Sequence, residues 1–101
     1  MSGWSVAVRV EVRLIGVFRE AAGSTRLVIE VEEGSRLVDV VDRVVEGVPG
    51  LGDVLVDRVV ESYAPNALVL VNGVEASNLE GPMTPIGDGS TLVLLPVTHG
   101  G

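Results

Sequence analysis

The chain has 101 residues, is 47% hydrophobic with Val and Leu dominant, carries a formal charge of −7 and has no cysteine. That length supports one domain with an ordinary core, and the composition is not that of a disordered chain. Missing cysteines exclude disulfides, thiolate nucleophiles, iron–sulfur clusters and cysteine zinc sites, and no apolar run approaches the ~20 residues of a membrane span.

All seven basic residues are arginine, at 9, 13, 19, 26, 36, 43 and 58. Scattered arginines in an acidic chain make a poor phosphate-backbone surface, which disfavours nucleic acid as a partner. Without lysine, the chain offers no side-chain amine as an acyl acceptor, which leaves the α-amine as its one amine acceptor. The start, Met1-Ser2-Gly3-Trp4-Ser5, lacks the basic flank and cleavage site of a secretory signal, so a soluble cytoplasmic protein is expected.

From Val6 to Leu14 the apolar residues Val6, Val8, Val10, Val12 and Leu14 alternate with Ala7, Arg9, Glu11 and Arg13, which predicts a half-buried strand. Gly16 and the stretch Glu20-Ala21-Ala22-Gly23-Ser24 interrupt it. Leu27, Ile29 and Val31 then alternate with Arg26, Glu30 and Glu32, so the two strands form an antiparallel hairpin. Glu33-Gly34 turns the chain and Ser35 is the expected helix N-cap. From Arg36 to about Gly47, Leu37, Val40, Val41, Val44 and Val48 recur at the spacing of one helix face. Valine is a weak helix former, so packing on a sheet must hold this helix. Gly47 and Pro49-Gly50 end it.

Residues 51–63 fit either a second short helix or the approach to a strand. Leu68-Val69-Leu70-Val71 is a continuous apolar run closed by Asn72-Gly73, a strong turn signal. Such a run is covered on both faces, or its outer face meets a partner. Thr84-Pro85 and Gly87-Asp88-Gly89 are loops. Thr91-Leu92-Val93-Leu94-Leu95 is the final strand, stopped by Pro96. A helix covers only one face of the late strands, so an apolar patch is expected near the tail. Val69, Val71, Leu92 and Leu94 are the candidates for it, with the outward parity left open. The whole is a compact α+β domain.

The chain closes on Pro96-Val97-Thr98-His99-Gly100-Gly101. A glycine pair packs poorly because ordering it costs the most backbone entropy. It threads a narrow channel well, with no Cβ to obstruct it, and so can present a carboxylate to a partner.

The pieces in order define a resemblance. Phe18-Arg19-Glu20-Ala21-Ala22-Gly23, Leu70-Val71-Asn72-Gly73, and the run from Thr84-Pro85 through Asp88-Gly89 and Pro96 to Gly100-Gly101 resemble the sulfur-carrier family of ubiquitin-like proteins. The nearest likeness within it is to small subunits of molybdopterin synthase and to archaeal small modifiers. Ser90, Leu95 and His99 depart from the usual acidic, aromatic and small residues there. The resemblance implies a β-grasp fold, a mixed sheet of four to five strands on the helix at 36–48, in a single domain 1–101 with a flexible tail at 97–101.

It also implies that Gly101, with Gly100 behind it, is the reactive terminus, and that Pro96, Val97, Thr98 and His99 form the partner-binding tail. Val97 to Gly101 extended would reach roughly 16–18 Å. A carboxylate resists nucleophiles at neutral pH, so an E1-like adenylating enzyme would use ATP to make an acyl-adenylate. Transfer from a persulfide would then give a thiocarboxylate, whose sulfur is polarizable and nucleophilic. In the molybdopterin route the tail enters the large synthase subunit. Thiamine synthesis and tRNA thiolation are other destinations, and conjugation to target-protein lysines is the protein-modifier alternative. A β-grasp interaction module with an idle terminus is the third reading.

Nothing in the chain predicts catalysis of its own. It has one His and neither a G-x-S-x-G elbow nor a P-loop. Glu32-Glu33 and Asp39 with Asp42 are best read as a turn and a solvated helix face, not a metal site. The chain is therefore expected to be a co-substrate that binds no cofactor or metal.

Overall fold

The computed structural model describes residues 7–48, 50–51 and 67–96. Val6, most of the ambiguous 51–63 segment and the tail residues Val97, Thr98, His99, Gly100 and Gly101 lie outside them. Elements run in the order β1 (Ala7–Leu14), α1 (Val17–Ala22), β2 (Arg26–Glu32), α2 (Leu37–Gly47), β3 (Ala67–Val71), β4 (Val74–Glu75) and β5 (Ser90–Pro96). Two 3₁₀ turns, Ala76–Asn78 and Gly81–Met83, lie between β4 and β5. No helix among the described residues is long and apolar enough to cross a membrane.

Alternation drives the first two strands as expected. β1 and β2 pair antiparallel, with Val8, Val10 and Val12 opposite Val31, Ile29 and Leu27. The five strands form one mixed sheet in the order β2-β1-β5-β3-β4. Its central pair, β1 and β5, is parallel, and β3 pairs antiparallel with both β5 and β4. This is the β-grasp arrangement the resemblance implies.

The helix lays Leu37, Val40, Val41 and Val44 onto the sheet, all nearly inaccessible to solvent. Burial of each such side chain contributes about 1.5–3 kcal/mol, which offsets the weak helix preference of valine. Leu51 is buried with them. The helix cap differs from expectation. Arg36 occupies the N-cap, and its backbone N–H donates to Asp39 Oδ2 at 2.8 Å. Ser35 instead closes the preceding turn, its Oγ donating to the Glu32 carbonyl at 2.7 Å.

The connection between β1 and β2 also differs, because it contains a helix. α1 places Phe18 in the core with no exposed surface. Its six residues are too few for helical periodicity to stand out in sequence. The Gly23 N–H donates to the Arg19 carbonyl at 2.9 Å, with Gly23 in the left-handed conformation at φ 71°, a helix stop that suits glycine.

Candidate functional site

The chain leaves the described structure at Pro96, so the site is built around that exit. β5 lies in the middle of the sheet, and its end is fixed from both sides. On one side Pro96 pairs in register with Ala67 of β3. On the other, the Ile15 N–H donates to the Leu94 carbonyl at 3.1 Å. The next rung of that parallel ladder would need an N–H at position 96, which proline lacks. The Ile15 carbonyl accepts instead from Phe18 N–H at 3.3 Å, at the start of α1. Pro96 thus belongs to the last strand and ends the ladder to β1.

Gly16 brings the exit close to α1. Its backbone has φ 62° and ψ −129°, a region L-residues avoid. A Cβ there would stand 3.0 Å from Pro96 Cγ. The tail root therefore rests directly on the Gly16 backbone. In the sequence this glycine is only an interruption of the strand pattern; its role comes from a contact 80 positions away.

Val69, Val71, Leu92 and Leu94 do not form the partner surface. They are at most 5% exposed and belong to the core. The registers Val69–Leu94 and Val71–Leu92 put all four on the face covered by α2. The complementary row, Leu68, Leu70, Val93 and Leu95, is only partly buried. It pairs as Leu68–Leu95 and Leu70–Val93 across the two strands. Ile15, 43% exposed, continues the outward parity of β1 beside it. An apolar patch near the tail root is present, on the opposite parity.

The rest of that face is polar. Arg13 pairs in register with Val93, and Arg13 Nε donates to Glu11 Oε2 at 2.7 Å. Arg26 Nε lies 3.7 Å from the same oxygen. The Arg13 hydrogen bond, helped by the charges of Arg13 and Arg26 and opposed by desolvation, lowers the Glu11 pKa below its ordinary 4.5. An exposed pair, Arg9 with Glu30 at 3.8 Å, lies further along the hairpin.

The loop motifs behind the resemblance are structural. Asp88 Oδ1 accepts from Arg9 N–H at 2.8 Å, and Gly89 N–H donates to the Arg9 carbonyl at 2.9 Å, tying the start of β5 to β1. The Asn72-Gly73 turn has φ 51° and 87°, as a tight hairpin turn requires. Asn72 Oδ1 accepts from Thr91 N–H at 2.9 Å. Thr84 Oγ1 donates to the Gly81 carbonyl at 2.7 Å, while the Thr84 carbonyl accepts from Leu37 N–H at 2.8 Å. Among the described residues, no group of three or more His, Cys, Asp or Glu side chains is placed to hold a metal ion.

A mixed sheet grasping one main helix, with its central last strand running out beside an apolar outer row, defines a ubiquitin-like protein. The chain belongs to the ThiS family, whose profile matches residues 12–101. It is 30% identical over 94 residues to small archaeal modifier protein 3 of Haloferax volcanii, covering 93% of this chain and all of that one. The solution structure of the Haloferax volcanii HVO 2177 protein superimposes with a TM-score of 0.79 at 27% identity, covering 94% of this chain and 88% of that one. Urm1 from Trypanosoma brucei superimposes with a TM-score of 0.74 at 27% identity over the whole of both chains. The family comprises small ubiquitin-like carriers and modifiers.

Proposed function

We propose that the chain is a co-substrate working through the Gly101 carboxylate, and that its first role is to carry sulfur as the small subunit of a molybdopterin synthase. The observation that carries the reading is the fixed exit of β5. Strand pairing to Ala67 and contact with Gly16 anchor Pro96, and the family match extends through Gly100-Gly101. The globule can then dock by its outer row while Val97, Thr98, His99 and the glycines enter a partner's channel.

In this scheme an E1-like enzyme joins the carboxylate to AMP and releases pyrophosphate from ATP. The terminal sulfur of an enzyme persulfide displaces AMP, and a second thiol cleaves the acyl disulfide to free the thiocarboxylate. The large synthase subunit then accepts the tail. Incubation of the chain with the adenylating enzyme, a persulfide donor and ATP tests this by intact mass. A product about 16 Da heavier, from oxygen-to-sulfur exchange, is expected. Deletion of Gly101 should abolish it without altering the fold. Product formation by the deletion variant would refute the reading.

A second reading, protein modification, is favoured by the 30% identity to an archaeal modifier protein. The same adenylate would then be attacked by a target lysine amine, releasing AMP and forming an isopeptide bond. Since the chain has no lysine, each lysine target would carry single copies, with no lysine-linked chain growing on this protein. Gly-Gly remnants on target lysines, read by peptide mass spectrometry, are the expected signature.

A further inference from the structure

The outer face carries a second feature beside the tail root. Arg13, Arg19 and Arg26, with Leu14, Ile15, Gly16 and Thr25, line an open cleft of about 530 Å³. Three of the chain's seven arginines converge there although the net charge is −7. Arg13 and Arg26 stand directly opposite each other on β1 and β2, an arrangement that costs stability unless an anion intervenes. Glu11 supplies one carboxylate to both. Arg19 makes no ion pair among the described residues. The cleft wall therefore carries three arginines and no acidic residue, with Glu11 outside it offsetting part of the charge of Arg13 and Arg26.

We propose that this cleft docks an acidic segment of the adenylating enzyme that receives the tail, which rests on the co-substrate reading above. Guanidinium groups recognise carboxylates through paired N–H donors. Gly16 is shared between the cleft wall and the Pro96 contact, so a partner segment held there stands at the root of the tail. Ile15, 43% exposed and part of the cleft wall, gives it apolar surface suited to a polypeptide. A nucleic acid fits less well, because the net negative charge repels an extended polyanion. Docking through exposed charges acts mainly on encounter, so its mark is salt-dependent association.

The test is ATP–pyrophosphate exchange by the adenylating enzyme of the source organism, with the full chain as substrate at several ionic strengths. Arg19→Glu and Arg26→Glu should each raise KM roughly threefold to tenfold at low salt, leave kcat unchanged and flatten the salt dependence. Arg43→Glu, on α2, makes the same charge change away from the cleft and should leave KM near its starting value. Equal effects of all three would overturn the proposal in favour of net charge alone, and unchanged KM in the cleft variants would overturn it outright. Salt-sensitive binding of a single-stranded RNA oligonucleotide, lost in Arg19→Glu, would overturn it as well. Exchange that survives deletion of Gly101 would instead defeat the co-substrate reading, so the two failures are distinguishable.

Discussion

Replacing Gly16 with alanine tests how the tail root is held. Two costs arise at once. The backbone at φ 62°, ψ −129° becomes strained for any residue with a Cβ, and that Cβ would stand 3.0 Å from Pro96 Cγ. Together these should destabilise the fold by about 2–4 kcal/mol. Gly23→Ala is the matched control. Its backbone is also left-handed, at φ 71°, yet a Cβ there would meet nothing within 4 Å, so only the conformational cost of about 1–2 kcal/mol applies. Urea denaturation followed by circular dichroism measures both, with an m-value of about 1–3 kcal/mol/M expected for a domain of this size. In thermal melts each kcal/mol should lower Tm by roughly 4–8 °C. Gly16→Ala should also slow adenylation at temperatures where it remains folded, because Pro96 has to shift, whereas Gly23→Ala should not. If Gly16→Ala proves no more destabilising than Gly23→Ala, the contact between the tail root and the Gly16 backbone is not holding the exit.

Other substitutions probe separate parts of the fold. Leu95→Asp, in the outward row, should change stability by less than about 1 kcal/mol yet weaken partner capture about tenfold or more in a pull-down or calorimetric titration. Leu94→Asp, one residue away but in the core, should prevent stable folding in the same melts. Asp39→Ala removes the acceptor for the Arg36 N–H and should cost about 0.5–2 kcal/mol, with Asp39→Asn recovering most of it. Asn72→Ala loses both the tolerated positive φ and the bond to Thr91, about 1–3 kcal/mol by urea titration, while Asn72→Asp should retain most of that stability. Because the folded Glu11 pKa is lowered, its contribution to stability is present above the unfolded value. It disappears as pH falls through the folded value. Glu11→Gln should accordingly flatten the acid limb of the stability profile, and a carboxyl NMR titration should place Glu11 below 4.5.

The limits of sequence reading follow the physics of each element. β1 and β2 were legible because each has one face on the core and one in solvent, so polarity alternates along the chain. The helix was legible for the same reason at its own period, and Asn72-Gly73 because the backbone of a tight hairpin turn selects those residues. The late strands were legible as strands but not in their facing, since Leu68–Val71 and Leu92–Leu95 are apolar at every position. Composition contains no parity there; only the position of α2 decides that Val69, Val71, Leu92 and Leu94 point inward. The cap at Arg36 escaped notice because it depends on a side chain three residues later, and α1 because a single short turn has little periodicity.

By itself the sequence determined an α+β domain, because local periodicity and turn chemistry are properties of neighbouring residues, and the order of its motifs carried the resemblance that implied the ubiquitin-like family. Only the tertiary structure decided which apolar row faces out, why Gly16 must lack a side chain, and that Arg13, Arg19 and Arg26 meet at one cleft. The first two depend on β5 entering the sheet between β1 and β3, which brings residues some 80 positions apart into contact, and the third on the register of β1 with β2 and the placement of α1 between them. Sequence spacing carries no trace of that approach.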